Sequence, residues 1–415
     1  MKNDNYDMIV IGGGSGGVRA ARMASMHNKK VALLEDKDLG GTCVNLGCIP
    51  KKLFSYAAHF SESFEESFGF GWSHKGSNFE WQNLIKNKNH EINRLNQIYQ
   101  KLLEDNGVKI IKERASFIDS NTIKAGANKL TGKKIIIATG GSPNRPNFSH
   151  DDRIITSDEA FHLKTLPKTI TLVGGGYIAL EFASIFNGLG CDTNLIYRGP
   201  LFLKGFDTEC RNFLLDQMIK KGINVLFNCE VSKIDNRPER LVLTTTKSHK
   251  INSDLVMFAT GRTPKTEGLE LEKLGIELDS DNAIIIDENY RTNINNIFAI
   301  GDVTNRINLT PVAINEAMVL IDYLYGKKDK KVNYNNVPSA IFTLPNFATV
   351  GLSEDVAIEM GLQIKIFIAN FKQLKHTLTK SEERCFMKLV VNSENDKIIG
   401  AHIVGTDAGE QIQGI

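Results

Sequence analysis

One pattern of apolar and polar positions occurs twice along the chain. Asp7 to Ile11 is a short apolar run that enters Gly12-Gly13-Gly14-Ser15-Gly16-Gly17. A helical pattern follows through His27, then a second apolar run, Val31 to Leu34, ends at Glu35. The same order returns at Thr169 to Val173, Gly174-Gly175-Gly176-Tyr177-Ile178-Ala179, a helix to Leu189 and a strand from Thr193 to Tyr197. Apolar runs of four or five residues bounded by glycine predict strands buried on both faces. Each stretch therefore reads as the opening βαβ unit of a parallel α/β sheet.

Both glycine turns have the G-x-G-x-x-G/A spacing that lets a backbone approach a pyrophosphate at a helix N-terminus. In the first unit Gly12, Gly14, Ser15, Gly16 and Gly17 are the binding candidates. Glu35 stands twenty-three positions after Gly12 (35 − 12), where an acid accepts from ribose hydroxyls. The same count from Gly174 reaches Tyr197 (174 + 23), with Arg198 next and Lys204 soon after. An acid there would repel a 2′-phosphate and two cations attract one, so the second site reads as NADPH-specific. Its candidates are Gly174, Gly175, Gly176, Tyr177, Ile178, Arg198, Lys204 and Gly261. Two complete units imply a division of labour, with one nucleotide held as a prosthetic group and the other exchanged as a substrate.

Between and beyond these units the pattern is mixed. Ser55 to Leu103 reads as helical with a polar break at Phe68 to Ser77, and strands are expected at Lys109–Ile111 and Ala115–Ile118. Lys134 to Pro143 is a buried strand ending in a glycine turn at Gly140, and Asn144 to Pro146 is a linker. Leu255 to Gly261 closes the second unit. Past Val332, strands are expected near Ala340–Phe342, Gln363–Phe367, Phe386–Val391 and Ile398–Val404, with helices at Ser353–Met360 and after Asp407.

Composition narrows the possibilities further. The 415 residues carry a formal net charge of +2, which gives no case for a nucleic-acid or membrane surface. No apolar run approaches a membrane span, and the polar start Met1 to Tyr6 has no signal-peptide core. Six cysteines in a chain of this size do not make a secreted scaffold, and a cytoplasmic location is expected. Cys191, Cys210, Cys229 and Cys385 read as ordinary thiols, and no metal site is expected.

Cys43 and Cys48 differ from these. They lie in Gly40-Gly-Thr-Cys-Val-Asn-Leu-Gly-Cys-Ile-Pro-Lys-Lys52, directly after the first nucleotide unit. In a regular helix their spacing holds the Cα atoms roughly 8–9 Å apart, whereas a disulfide needs less than about 7 Å. The pair is thus either unbridged or not in a regular helix. Thr42 is placed to cap a helix beginning near Cys43, and with Lys51 and Lys52 nearby a depressed thiol pKa is expected. A redox pair and a static pair of thiols both fit these residues alone.

The order of residues in this segment, between two fingerprints, resembles the flavoprotein disulfide reductases, and within them the glutathione reductase form. The resemblance runs from about Asn5 to the end of the chain. It implies two Rossmann-like dinucleotide-binding domains plus an α+β interface domain. The expected boundaries are 1–142 for FAD, 143–264 for NADPH, 265–331 as a return to the FAD domain, and 332–415 for the interface through which such proteins form homodimers. It implies a relay from NADPH through FAD and a Cys43–Cys48 disulfide to a substrate disulfide, most closely glutathione disulfide. By the same match Cys48 is the flavin-proximal thiol and Cys43 the interchange thiol. Lys51 lies at the flavin, with Glu181 as its partner, and Tyr177 covers the nicotinamide pocket. Asp302, in Arg291-Thr-Asn-Ile-Asn-Asn-Ile-Phe-Ala-Ile-Gly-Asp302, holds the ribityl chain. Thr310, Thr42, Ala115 and Gly140 complete the cofactor contacts, and Arg22 and Tyr99 contact substrate.

Two departures from the family pattern stand out. Met318 occupies the place of a family arginine. None of the nine histidines lies in the C-terminal His-Pro-Thr segment that supplies the family's proton donor. A C-terminally truncated reductase is therefore expected, with weakened dimerisation and poor turnover of glutathione disulfide. A mercuric reductase, a dihydrolipoamide dehydrogenase or a non-catalytic flavin-binding protein are the alternatives. Basic residues at Arg19 and Arg22, where a trypanothione reductase carries an acid and a tryptophan, favour a substrate rich in carboxylates.

Overall fold

The computed structural model describes residues 3–148, 151–327 and 330–415. Met1, Lys2 and His150 lie outside them. The chain packs as two compact units, one formed by Met1–Pro50, Asn87–Pro143 and Arg262–Tyr334, the other by Lys51–Lys86, Asn144–Gly261 and Asn335–Ile415. Both are α/β.

In the first unit the strands run in the order Lys109–Ile111, Val31–Leu34, Asn3–Ile11, Asn128–Ile137, Thr122–Ala125, Ala115–Phe117. Ile297–Ala299 pairs in parallel with the end of Asn128–Ile137. Alternate residues of Asn3–Ile11 enter two different cores. Ile9 and Ile11 pack with Leu34, Ile135 and Ile137, while Met8 and Val10 pack with Leu33, Ile136 and the helix Ser15–Met26. Both faces are covered, which is why the run is apolar without alternation. Asn128–Ile137 is longer than its sequence suggests. Its first half forms an antiparallel ladder with Thr122–Ala125, and there polar residues alternate with buried ones.

In the second unit a parallel sheet has the order Asn224–Phe227, Asp192–Tyr197, Thr169–Val173, Leu255–Phe258, Ile154–Ile155. An antiparallel three-stranded sheet (Val231–Asn236, Leu241–Thr245, Lys250–Ser253) precedes Leu255–Phe258. The C-terminal part is a five-stranded antiparallel sheet in the order Ser339–Ile341, Asn346–Gly351, Ile398–Gly405, Cys385–Asn392, Ile364–Phe371. Asp207 caps the helix Thr208–Lys220 through the amides of Glu209 and Cys210. Lys388, 1 % exposed, holds that cap, with its ammonium 3.0 Å from Asp207 and 2.6 Å from Glu354. Burial would lower the pKa of this ammonium, but the surrounding carboxylates outweigh it and raise it above the usual lysine range.

A candidate redox and dinucleotide site

The first fingerprint is shaped by close backbone approach. Gly12 has φ +106°, and a Cβ there would fall 2.3 Å from the Ala138 carbonyl oxygen. Gly17, inside the helix that begins at Ser15, leaves room for the Gly12 carbonyl, which a Cβ would meet at 1.9 Å. No larger residue fits either place without moving the turn. The Gly13 amide donates to Glu35 Oε2 at 2.7 Å, so the acid ending Val31–Leu34 closes over the glycine turn. Glu35, Gly12, Ala115 and Thr139 line one cleft of this unit. Gly14 and Gly16 lie in the turn and first helical residues of the same loop, and Gly140 follows Thr139 with φ +71°.

Asp302 follows Gly301 at the end of Ile297–Ala299. Burial raises the pKa of its carboxyl, and the nearby Arg262 guanidinium partly offsets this. An acid kept in so desolvated a place suits a hydroxyl-bearing ligand. With the glycine cradle, the cleft and Glu35 in the same unit, these residues fit an extended dinucleotide such as FAD. Arg262 was not among the residues singled out from sequence. Its only signal was its position after Gly261.

The cysteine segment is not a regular helix. A short helix, Gly41–Asn45, ends before Leu46 and Gly47, and a new helix, Cys48–Ser67, begins at the second cysteine. This break brings the thiols together despite their spacing. Cys43 and Cys48 are in side-chain hydrogen-bond contact, and Cys48 Sγ lies 3.7 Å from Thr310 Oγ1. No disulfide joins them. Two expectations need correction. Thr42 lies inside the short helix, whose N-cap is Gly40 with no side-chain cap. The Cys43 thiol is not depressed. Its hydrogen bond to Cys48 and then burial push its pKa up, with Thr310 acting weakly against them. The cysteine at a helix N-terminus, where negative charge is favoured, is Cys48.

Lys51 and Glu181 meet in the second unit. Their Nζ–Oε1 distance is 2.7 Å with both side chains buried, and the Phe342 amide donates to the same oxygen at 2.9 Å. Lys51 also lies 4.0 Å above the Phe342 ring. One carboxylate oxygen thus answers both the ammonium and a backbone amide, and the ammonium is fixed in direction, as a buried pair requires. Phe342 was not anticipated as a partner.

The second fingerprint repeats the first in form. Gly174 has φ +148° and would carry a Cβ 2.3 Å from the Ala259 carbonyl oxygen. Gly176 and Tyr177 are exposed at the start of the helix Tyr177–Gly188, and Ile178 is half-buried. A Cβ on Gly175 would meet the Tyr197 ring at 2.4 Å, and the Leu203 amide donates to the Gly175 carbonyl at 2.7 Å. Arg198 is exposed, with Glu230 3.9 Å away, and Lys204 is exposed on the same loop. Gly261, with φ +140°, follows Leu255–Phe258.

In the first unit Tyr99 interacts with both Cys43 and Arg19, and Arg19 in turn with Arg22. Burial, then the charge of Arg22, lower the pKa of the Arg19 guanidinium. Burial, then Cys43, raise that of the Tyr99 phenol. Arg22 Nε is buried without a hydrogen-bond partner. Two crowded guanidinium groups, one with an unanswered donor, suit an anionic ligand. Met318 is 39 % exposed and offers no such donor.

A buried fingerprint turn, an acid closing over it and a cysteine pair beside Thr310 define a dinucleotide-dependent disulfide oxidoreductase. Residues 6–317 match the pyridine nucleotide-disulphide oxidoreductase family, and residues 337–415 match that family's dimerisation domain. The chain belongs to this family of flavoprotein disulfide reductases, which use FAD with NADPH or NADH. It is 43 % identical to the glutathione reductase of Burkholderia cepacia over all of this chain and 92 % of that protein. It is 40 % identical to the glutathione reductase of Nostoc sp. over 99 % of this chain and 93 % of that one. It is 36 % identical to the trypanothione reductase of Trypanosoma congolense over 99 % of this chain and 89 % of that protein. Among the described residues no helix is long and apolar enough to cross a membrane.

Proposed function

We propose that this chain reduces glutathione disulfide with electrons from NADPH, through FAD and the Cys43–Cys48 pair, as a homodimer in the cytoplasm. The observation that carries the reading is the thiol pair in mutual contact beside Thr310, with Tyr99 interacting with Cys43 and with Arg19, the neighbour of Arg22. Whole-chain similarity to glutathione reductases supports the substrate.

FAD, when bound, carries two electrons from NADPH to the cysteine disulfide. The residues of the chain do the rest. Gly12 to Gly17 and Glu35 would hold the adenosine and pyrophosphate end of FAD, and Asp302 and Thr310 its flavin end. Gly174 to Ile178 would hold the pyrophosphate of NADPH, Tyr177 would cover its nicotinamide site, and Arg198 and Lys204 would pair with its 2′-phosphate. Lys51, its ammonium fixed by Glu181, would supply positive charge to the flavin. Reduction opens the disulfide to two thiols. Cys43 sulfur attacks one sulfur of the substrate, forming a mixed disulfide and releasing one glutathione. Cys48 sulfur then attacks Cys43 sulfur, closes the pair again and releases the second. The balance is one NADPH and one proton consumed for one disulfide opened.

The Arg19–Arg22 cluster favours the carboxylate-rich glutathione over the cationic trypanothione. The test is steady-state turnover with glutathione disulfide, trypanothione disulfide and lipoamide, each with NADPH and with NADH. Preferred turnover of glutathione disulfide with NADPH is the expected result. Preference for lipoamide and NADH overturns it.

A further inference from the structure

One buried carboxylate in the first unit belongs to none of the groups described so far. The helix Thr310–Tyr325 buries Val312, Ala313, Ala317, Leu320 and Ile321, and Glu316 lies among them on the same face at 1 % exposure. A glutamate in an apolar helix stripe costs several kcal/mol unless it is answered, of the order known for buried ions. Here both oxygens are answered. Oε2 accepts from the Gly301 amide at 2.7 Å. Oε1 accepts from Arg306 Nη2 at 2.7 Å and from the Tyr334 hydroxyl at 2.8 Å. The Arg306 guanidinium is sandwiched between the Tyr290 and Tyr334 rings, 4.8 and 5.0 Å from their centroids, and the two tyrosine hydroxyls are 3.3 Å apart.

The placement of these contacts gives them their meaning. Gly301, at φ +72°, is the residue before Asp302, and a Cβ there would meet Ala313 of the same helix at 3.3 Å. Arg306 lies in the connection between Asp302 and Thr310, next to Asn305, which adopts φ +49°. Glu316 lies six residues after Thr310 (316 − 310). A single carboxylate therefore ties down the start and the middle of the loop 301–310 and joins both to the helix that ends it. That loop carries Asp302 and Thr310, the latter beside Cys48. A chain of this length with two left-handed residues samples many shapes unless it is held.

We propose that Glu316, with Arg306 and Tyr334, is a positioning device that fixes Asp302 and Thr310 for the flavin end of FAD before it binds. This rests on the reading that Asp302 and Thr310 face FAD. Neither Glu316 nor Arg306 touches the cofactor in this account; they lower the ordering cost of the loop that does.

The test uses the full chain in three measurements on each variant. These are FAD affinity from flavin released on dilution and from retitration of apo-protein, ADP affinity of the apo-protein, and thermal unfolding of the apo-protein. ADP reports the adenosine end at Gly12 to Glu35 and not the 301–310 loop. Glu316→Gln keeps the shape but loses the ion pair, and FAD affinity is expected to fall about ten-fold or more, in line with hydrogen bonds to a charged group. ADP affinity is expected to stay within about two-fold. Tyr334→Phe removes one bond and is expected to weaken FAD in the same direction by less, which covers the case in which Glu316→Gln does not fold. Arg306→Lys is expected to restore part of what Arg306→Met loses. FAD affinity unchanged in Glu316→Gln and Tyr334→Phe, or FAD and ADP affinity falling together, overturns the inference. Asp302→Asn is the control for the reading beneath it. If that variant binds FAD as tightly as the parent, the placement of Asp302 at the flavin fails. If it weakens FAD while the Glu316 and Tyr334 variants do not, only the positioning role fails.

Discussion

The two glycine fingerprints share a close approach of their first glycine to a neighbouring strand end and differ in the residue that ends the following strand region. In the first, the residue ending the second strand region is Glu35, and its carboxylate accepts the Gly13 amide at 2.7 Å. In the second, the matching residue is Tyr197, whose ring takes the space a Cβ on Gly175 would need. Gly12 and Gly174 press equally close to the end of the neighbouring crossover strand, so the turn itself does not choose the ligand. The choice lies with what stands over the turn. In the proposed reading a carboxylate there would receive ribose hydroxyls, while a ring with Arg198 and Lys204 beyond it would leave space and positive charge for a phosphate.

The cysteine pair is where the largest effect is expected. Cys43→Ser and Cys48→Ser should each lower disulfide turnover by about 10³-fold or more, because each sulfur makes and breaks bonds in the cycle. They should differ in spectrum. Cys43→Ser leaves Cys48 beside the flavin with a standing long-wavelength absorbance, and Cys48→Ser lacks it. The reverse pattern would show the roles exchanged.

Next in size is the buried pair of the second unit. Glu181→Leu strands the Lys51 ammonium in an apolar place, and breaking such a pair typically costs about 3–5 kcal/mol. Denaturant unfolding of the parent, Glu181→Leu and the double variant Lys51→Met/Glu181→Leu measures this. The double variant is expected to recover most of the loss. Equal stability of all three would show that the pair contributes nothing.

The comparison of fingerprints can be broken directly. Neutralising Arg198 and Lys204 together should raise KM for NADPH by about ten-fold and leave KM for NADH nearly unchanged, since charged contacts contribute about 1–3 kcal/mol and less when exposed. Tyr197→Glu in that background should shift preference further toward NADH by giving the second fingerprint the acid of the first. Equal changes for both nucleotides would separate specificity from this loop.

The smallest effect concerns Asp302. Burial raises its folded-state pKa above the unfolded value, so the folded apo-protein holds this proton more tightly. Its contribution is present at low pH and is lost as pH rises through the folded pKa. At pH 7 the charged carboxylate therefore costs apo-protein stability, and Asp302→Asn should raise the apo-protein Tm by about 1–2 °C while weakening FAD. A lower Tm for Asp302→Asn at pH 7 would contradict this.

Much of the site was legible in the sequence because its chemistry sits in short contiguous motifs. The turns at Gly12 and Gly174, the acid at Glu35, the pair Cys43 and Cys48, and Lys51 one helical turn further on are all fixed by local spacing. What was not legible depends on the fold. The ladder of Asn128–Ile137 with Thr122–Ala125 hides behind polar alternation, and Asn346–Gly351 lies between two turns with little periodic signal. The Cys43 thiol was misjudged because helix position was read without the break at Leu46 and Gly47, which turns Cys43 toward Cys48 and into the interior. Glu316 left a trace, a charge at a core position of an apolar helix, yet its partners lie in the loop that carries Gly301 and Arg306 and, beyond the helix, at Tyr334.

The central claim is that electrons from NADPH reach the Cys43–Cys48 pair and leave it on glutathione disulfide. Thiol labelling followed by mass spectrometry tests this most directly. The oxidised FAD-loaded protein is treated anaerobically with one equivalent of NADPH, alkylated, and compared with a sample given glutathione disulfide before alkylation. New labels at Cys43 and Cys48 after NADPH, lost again after glutathione disulfide, are the predicted result. Labels at these two positions that do not change with NADPH, or that persist in the presence of glutathione disulfide, would contradict it.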